Sequence, residues 1–195
     1  MKNGILKAVE EGIKVKEKFF KENVDMIVEV VYLITDVFNT GKKLILFGNG
    51  GSATDASHIA AEFVNRFQKE RPGLPAIALN TDMAIITSIA NDYEYSDVFA
   101  RQLKAIGNEG DIVIAISTSG NSPNVLKAAD VARRKKMKII AFTGNTGGKL
   151  ASKVDYAFLV PSDSTPRIQE THITLGHLIC QMVEESLFGR HRREK

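Results

Sequence analysis

A chain of 195 residues, 44% hydrophobic and 25% charged, matches one α/β domain; it is too apolar for a disordered polypeptide and lacks the ~18-residue apolar run of a membrane span. The formal charge of +3 resides in the tail, where Arg190, Arg192, Arg193 and Lys195 meet only Glu194, so a near-neutral body gives no case for nucleic-acid binding. The lone Cys180 excludes an intrachain disulfide, and Lys7, Glu10, Glu11 and Lys14 interrupt the first apolar stretch as no signal peptide would, so a cytoplasmic setting is expected.

Residues 3–39 read as two helices, or as one with a break near Asn23. Val24, Ile27, Val28, Val31, Ile34 and Phe38 form one apolar stripe, and Val30, Leu33 and Val37 a second. A helix apolar on two sides is expected to cover the domain with one and meet a second subunit with the other. Asn39-Thr40-Gly41 predicts a left-handed stop. Short β-branched runs then follow at Leu44–Phe47, Ala76–Leu79, Ile112–Ser117, Ile139–Thr143 and Tyr156–Val160. Helix patterns separate them at 52–68, 84–106 (in two pieces), 122–135 and 147–153, and a last helix runs from Pro166 to Phe188. Nearly continuous apolar strands alternating with helices predict a parallel sheet covered on both faces. Residues 1–195 are read as one domain, with 1–40 as an N-terminal helical arm and 189–195 as a solvated basic tail.

Ligands in such sheets sit beyond the carboxyl ends of the strands. Two strand ends carry suitable loops. After the first strand come Gly48-Asn49-Gly50-Gly51-Ser52, whose backbone amides and following helix favour an anion. The stretch satisfies a dinucleotide fingerprint, but Asp82 arrives far later than the ~20 positions that fingerprint needs, and no Walker lysine follows. After the third strand, Ser117, Thr118, Ser119 and Ser122 place their hydroxyls around a turn before Pro123. They suit phosphate oxygens; the plainer alternative is a turn with an ordinary serine cap.

His58 and Glu62, spaced i and i+4 beside the glycine loop, can share a metal, form an acid–base pair or be an ordinary surface pair. Gln169 and His177 lie two turns apart, about 12 Å along an ideal axis. For both to reach one ion, Gln169 must stand at the helix mouth, or the two must come from different subunits. His172 points away from His177 and is expected to be structural, Cys180 to be helix packing, and His191 to belong to the tail.

Together, Gly48–Ser52, the His58/Glu62 helix, Ala90-Asn91-Asp92, Ser117–Ser122, Thr143-Gly144, and Arg167-Ile168-Gln169-Glu170 with His177 resemble the sugar isomerase (SIS) domain family. Within it, the resemblance is to members that convert sedoheptulose 7-phosphate to D-glycero-D-manno-heptose 7-phosphate, the first step toward ADP- or GDP-heptose. It implies a flavodoxin-like five-stranded parallel sheet with helices on both faces, and a homotetramer with active sites where subunits meet. It further implies one zinc ion per subunit on His58, Glu62, Gln169 and His177, with Glu62 and His177 catalytic. Substrate contacts implied are Asn49, Gly50, Gly51, Ser52, Glu62, Asn91, Asp92, Ser117, Thr118, Ser119, Ser122 and Gln169. Neither nucleic acid nor membrane is an implied partner. Pro166 departs from the pattern where some members carry an acidic residue. Paralogues that bind the replication initiator DnaA offer the alternative, and Asn65-Arg66-Phe67 and Pro75–Asp82 look like theirs. Those paralogues lack the complete acid–base and metal set, whereas this chain keeps Glu62 and His177.

Overall fold

The structure, a computed structural model, describes residues 1–189, so the basic-tail expectation, apart from Gly189, lies outside the described residues, as does His191. In chain order the elements are α1 (Lys2–Asn39), β1 (Leu44–Gly48), α2 (Gly51–Val64), β2 (Ala76–Ala78), α3 (Met83–Asp92), a 3-10 turn (Tyr95–Asp97), α4 (Val98–Ile106), β3 (Ile112–Ile116), α5 (Pro123–Arg134), β4 (Lys138–Gly144), α6 (Gly148–Ala151), β5 (Tyr156–Val160) and α7 (Thr165–Phe188). The five strands are all parallel in the order β2-β1-β3-β4-β5. Strand order therefore reverses between β1 and β3, and the loops that leave these two strands are the glycine and serine loops.

Side chains alternate across the sheet and build two cores. Leu44, Leu46, Ile112, Ile114, Phe142 and Phe158 pack under α1, α2 and α7. Ile45, Phe47, Val113, Ala115, Ile139 and Ala141 pack under α3, α4 and α5 on the opposite face. Both faces of β1 and β3 are thus apolar, which accounts for their unbroken hydrophobic runs. Among the described residues, no helix is long and apolar enough to cross a membrane.

Two expectations need correction. First, α1 is one helix with no break at Asn23, whose side-chain amide donates to the Phe19 carbonyl 2.8 Å away, one turn back. Its buried line draws on both expected stripes: Phe19, Ile27, Val30, Val31, Ile34 and Val37 face the core, whereas Val24 and Val28 are exposed. The stop occurs as expected, with Gly41 at φ 71° and Lys42 and Gly41 donating to the Val37 and Phe38 carbonyls.

Second, α2 stops at Val64 and not at residue 68. The amides of Phe67, Gln68 and Lys69, which a continuing helix would use, donate to the Glu184 carboxylate on α7. The Phe63 carbonyl accepts from Arg71 and Leu74. A distant carboxylate has taken over the donors of the next turn.

Candidate functional site

β1 ends at Gly48, where a Cβ would sit 2.7 Å from the Ser52 carbonyl oxygen and 2.9 Å from that of Ile116. Gly50 adopts φ 56° and ψ −123°, a region closed to other residues. Helix α2 then starts without a side-chain cap and without an acidic residue in its first turn. Among the described residues, the Gly50 and Gly51 amides find no acceptor. A Cβ on Gly51 would overlap the side-chain amide of Gln169, so glycine there lets α7 bring Gln169 up against the mouth of α2.

Across the switch point, Ser117 is buried and its Oγ lies 3.1 Å from that of Ser122. Ser122 does not cap α5 with its side chain, so the plain-cap alternative fails. Ser119 is exposed and accepts from the Asn121 amide. Thr118 and Ser119, with Asn145, Thr146, Asp163 and Thr165, line a polar cavity of about 270 Å³ beyond β3, β4 and β5. The side chains of Asn49 and Asn124 exchange two hydrogen bonds of 2.9 and 2.8 Å, tying the glycine loop to the start of α5. The Tyr95 hydroxyl also donates to Asn49. Asn49 therefore presents mainly backbone to a ligand. Asn91 and Asp92 are exposed and hydrogen-bond each other, joined to this region through Tyr95 three residues on.

The titratable groups meet on the facing sides of α2 and α7, which run side by side. Gly51 lies against Gln169, and a Cβ on Gly176 would clash with Ile59 2.5 Å away. This close approach brings His58 Nε2 to 3.2 Å from Glu62 Oε1 and to 3.3 Å from His177 Nε2. All three ligand atoms fall within 4.8 Å of one another. Gln169 stands at the mouth of α2, its side chain against Gly51, two turns above His177.

A single proton on His58 Nε2 cannot give a full hydrogen bond to both neighbours. As a donor, His58 Nε2 serves Glu62 or His177 but not both; as an acceptor it repels the carboxylate. A cation at the centre meets all three lone pairs. The two short separations match the ~3.3 Å edge of a tetrahedron with ~2.0–2.1 Å bonds. Two imidazoles and a carboxylate can therefore hold a metal ion here, and the half-exposed His58 leaves a side open to a substrate.

Asn124 and Tyr95 escaped the sequence reading, and so did one titratable residue beside the cluster. Asp55, a turn before His58, has its carboxyl pushed up to about 6 by burial, with the His58 charge pulling the other way. Its Oδ2 is buried with no hydrogen-bond partner among the described residues. Positions 55, 58 and 62 share one helix stripe, a signal that could have found it. His172 behaves as expected: fully buried, it gives its Nε2 proton to the Thr143 carbonyl 3.1 Å away. Burial lowers its pKa to about 4, so it is a neutral structural group. Cys180 is buried, and burial first, then the Glu62 charge, pushes its thiol up and out of chemical use.

A family model described as the SIS domain matches residues 9–144. The chain is 66% identical over 184 residues to the phosphoheptose isomerase of Thermodesulfovibrio yellowstonii, spanning 94% of this chain and 92% of that protein. Among solved structures, the phosphoheptose isomerase of Neisseria gonorrhoeae is 38% identical, with a TM-score of 0.89 over 94% of this chain and 98% of that one. That of Francisella tularensis is 37% identical, with a TM-score of 0.91 over 94% and 97%.

Proposed function

The chain belongs to the SIS domain family, among its phosphoheptose isomerases, and from that premise we propose that it converts sedoheptulose 7-phosphate to D-glycero-D-manno-heptose 7-phosphate through an enediolate. The observation that carries this reading is the convergence of Glu62, His58 and His177 beside two anion-suited loops at one switch point. In such a reaction a proton moves from C1 to C2 and another from O1 to O2, with no net gain or loss. Glu62 takes the C1 proton and returns it to C2. Its Oε1 faces His58, which leaves Oε2 for the carbon. His177 carries the proton between the oxygens while its Nε2 is free of the metal. Zinc, with His58, Glu62 and His177 as ligands and Gln169 completing the set, would supply Lewis-acid polarisation of the carbonyl.

Phosphate is held far from the reacting carbons, by the Gly50 and Gly51 amides, Ser52 and the hydroxyls of Ser117, Thr118, Ser119 and Ser122. That remote binding energy orients C1 and C2 against Glu62. Asn91 and Asp92 contact the sugar hydroxyls. We further propose a single-domain protomer in a cytoplasmic homotetramer whose active sites lie at subunit contacts. Support comes from the exposed Val24, Val28 and Tyr32 on α1, beside an apolar cleft of about 410 Å³ walled by Ile27, Val31 and Met182. An initiator-binding adaptor has no use for this convergence of imidazoles and carboxylate.

A coupled assay with sedoheptulose 7-phosphate tests the whole reading. Wild-type protein should turn over with zinc, lose activity on chelation and regain it on adding zinc back. Glu62→Gln should stay inactive throughout, and light scattering should give four copies. Absence of turnover in zinc-loaded wild type, or full activity of Glu62→Gln, would overturn the assignment.

A further inference from the structure

Below the cluster, where α2 ends, lies an ion pair that neither the glycine loop nor the serine loop touches. Arg71 and Glu184 have side chains only 1% and 2% exposed, and Arg71 Nε donates to Glu184 Oε1 at 2.9 Å. Glu184 also accepts the amides of Phe67, Gln68 and Lys69. Arg71 spends its remaining donors on carbonyls: Nη1 on Phe63 and Pro72, and Nη2 on Glu62 at 2.8 Å. The main chain of Glu62 is thus hydrogen-bonded to Arg71. Glu184 rides on α7 two turns beyond His177.

A buried ion pair is weak evidence of stability, because a well-packed apolar pair of similar volume usually stabilises as much or more. Apolar packing would keep α2 and α7 in contact, but it is non-directional and leaves them free to slide. Hydrogen bonds from a planar guanidinium to a carboxylate and to main-chain carbonyls fix distance and angle together. The pair sits where sliding matters, since His58 and Glu62 belong to one helix and His177 to the other.

We propose that Arg71 and Glu184 are positioning residues that set the axial register of α2 against α7, and with it the spacing of His58 and Glu62 from His177. The proposal rests on the reading that these three groups serve the isomerisation. Arg71 and Glu184 touch neither substrate nor metal. They act through the Glu62 main chain and the α7 backbone.

Two variants test this. Arg71→Lys keeps the charge beside Glu184 but cannot span to the Glu62 and Phe63 carbonyls. The double variant Arg71→Met/Glu184→Leu replaces the pair by apolar volume. For each, circular dichroism establishes folding at the assay temperature. Competition with a chromogenic chelator gives the zinc affinity, and steady-state assays give kcat and KM separately. In Arg71→Lys, kcat and zinc affinity should each fall about tenfold or more, with KM for the sugar phosphate within about twofold. The double variant leaves the Phe67, Gln68 and Lys69 amides and the Glu62 and Phe63 carbonyls without these partners, so its melting temperature should fall, and while folded it should show the same low kcat and weak zinc binding.

A purely structural pair would give the opposite: kcat and zinc affinity close to those of wild type in either variant that is folded at the assay temperature, whatever its melting temperature. That result overturns the proposal, and should Arg71→Lys fail to fold, the double variant decides. If zinc-loaded wild type turns over no sedoheptulose 7-phosphate, the functional reading fails; the zinc competition still reads the register because it needs no substrate.

Discussion

His172 shows how one imidazole in this chain is made inert while two others are left available. It lies four residues from Gly176 on the same helix as His177, yet it is fully buried and hydrogen-bonded to the Thr143 carbonyl, with Nδ1 unpartnered among the described residues. Burial lowers its pKa from 6.5 to about 4. The unfolded chain therefore takes up the proton first. Stability is fully present above pH 6.5 and is lost as pH falls toward 4, by about 3 kcal/mol from this group. His172→Gln, which can still donate to Thr143, should remove that part of the acid sensitivity. Urea unfolding at pH 7 and pH 4.5 measures it: the two proteins should differ in the drop between the pH values, and equal drops would show that His172 does not titrate on unfolding. From the sequence, His172 was separable from His177 only by its angle around the helix.

At the scale of elements, the pairing of α2 with α7 depends on three contacts of different chemistry. Gly51 admits Gln169, Gly176 admits Ile59, and Arg71 with Glu184 ties the far ends. Gly176→Val should push the helices apart at the level of His58 and His177. Overlap with Ile59 would cost roughly 1–3 kcal/mol of stability, and zinc affinity should fall with it. Chelator competition and thermal melting check both effects; unchanged zinc binding would show that the helices yield elsewhere. The strands and most helices were legible because their signals are local: apolar runs at Leu44–Phe47 and Ile112–Ile116, Gly41 for the stop of α1, Pro123 for the start of α5. Likewise His58 and Glu62 announced themselves through a one-turn spacing. The end of α2 was illegible because Glu184, 117 residues beyond Phe67, captures its amides. For the same reason the meeting of His58 with His177 came from the resemblance alone, since no local pattern encodes a contact between α2 and α7.

Over the whole molecule, the parallel sheet turns the starts of α2, α5 and α7 toward one rim, and α1 covers the side of the sheet that α2 and α7 also occupy. Each of the three starts lacks a side-chain cap, and none has an acidic residue in its first turn. An isolated helix gains about 0.5–2 kcal/mol from a good cap and 0.3–1 kcal/mol from an acid there. The protein forgoes this at three starts on the rim where it would receive a dianion, whereas α3, on the same rim, is capped by Asp82. Robustness and affinity should consequently compete at this rim. Thr54→Asp, on the exposed first turn of α2, should raise the melting temperature and raise KM for the sugar phosphate in the same variant. Scanning calorimetry and initial rates report the two, and a rise in one without the other would mean that these helix ends are bare for some reason unconnected with phosphate. An engineer seeking a hardier protein would have to look for it away from the mouth.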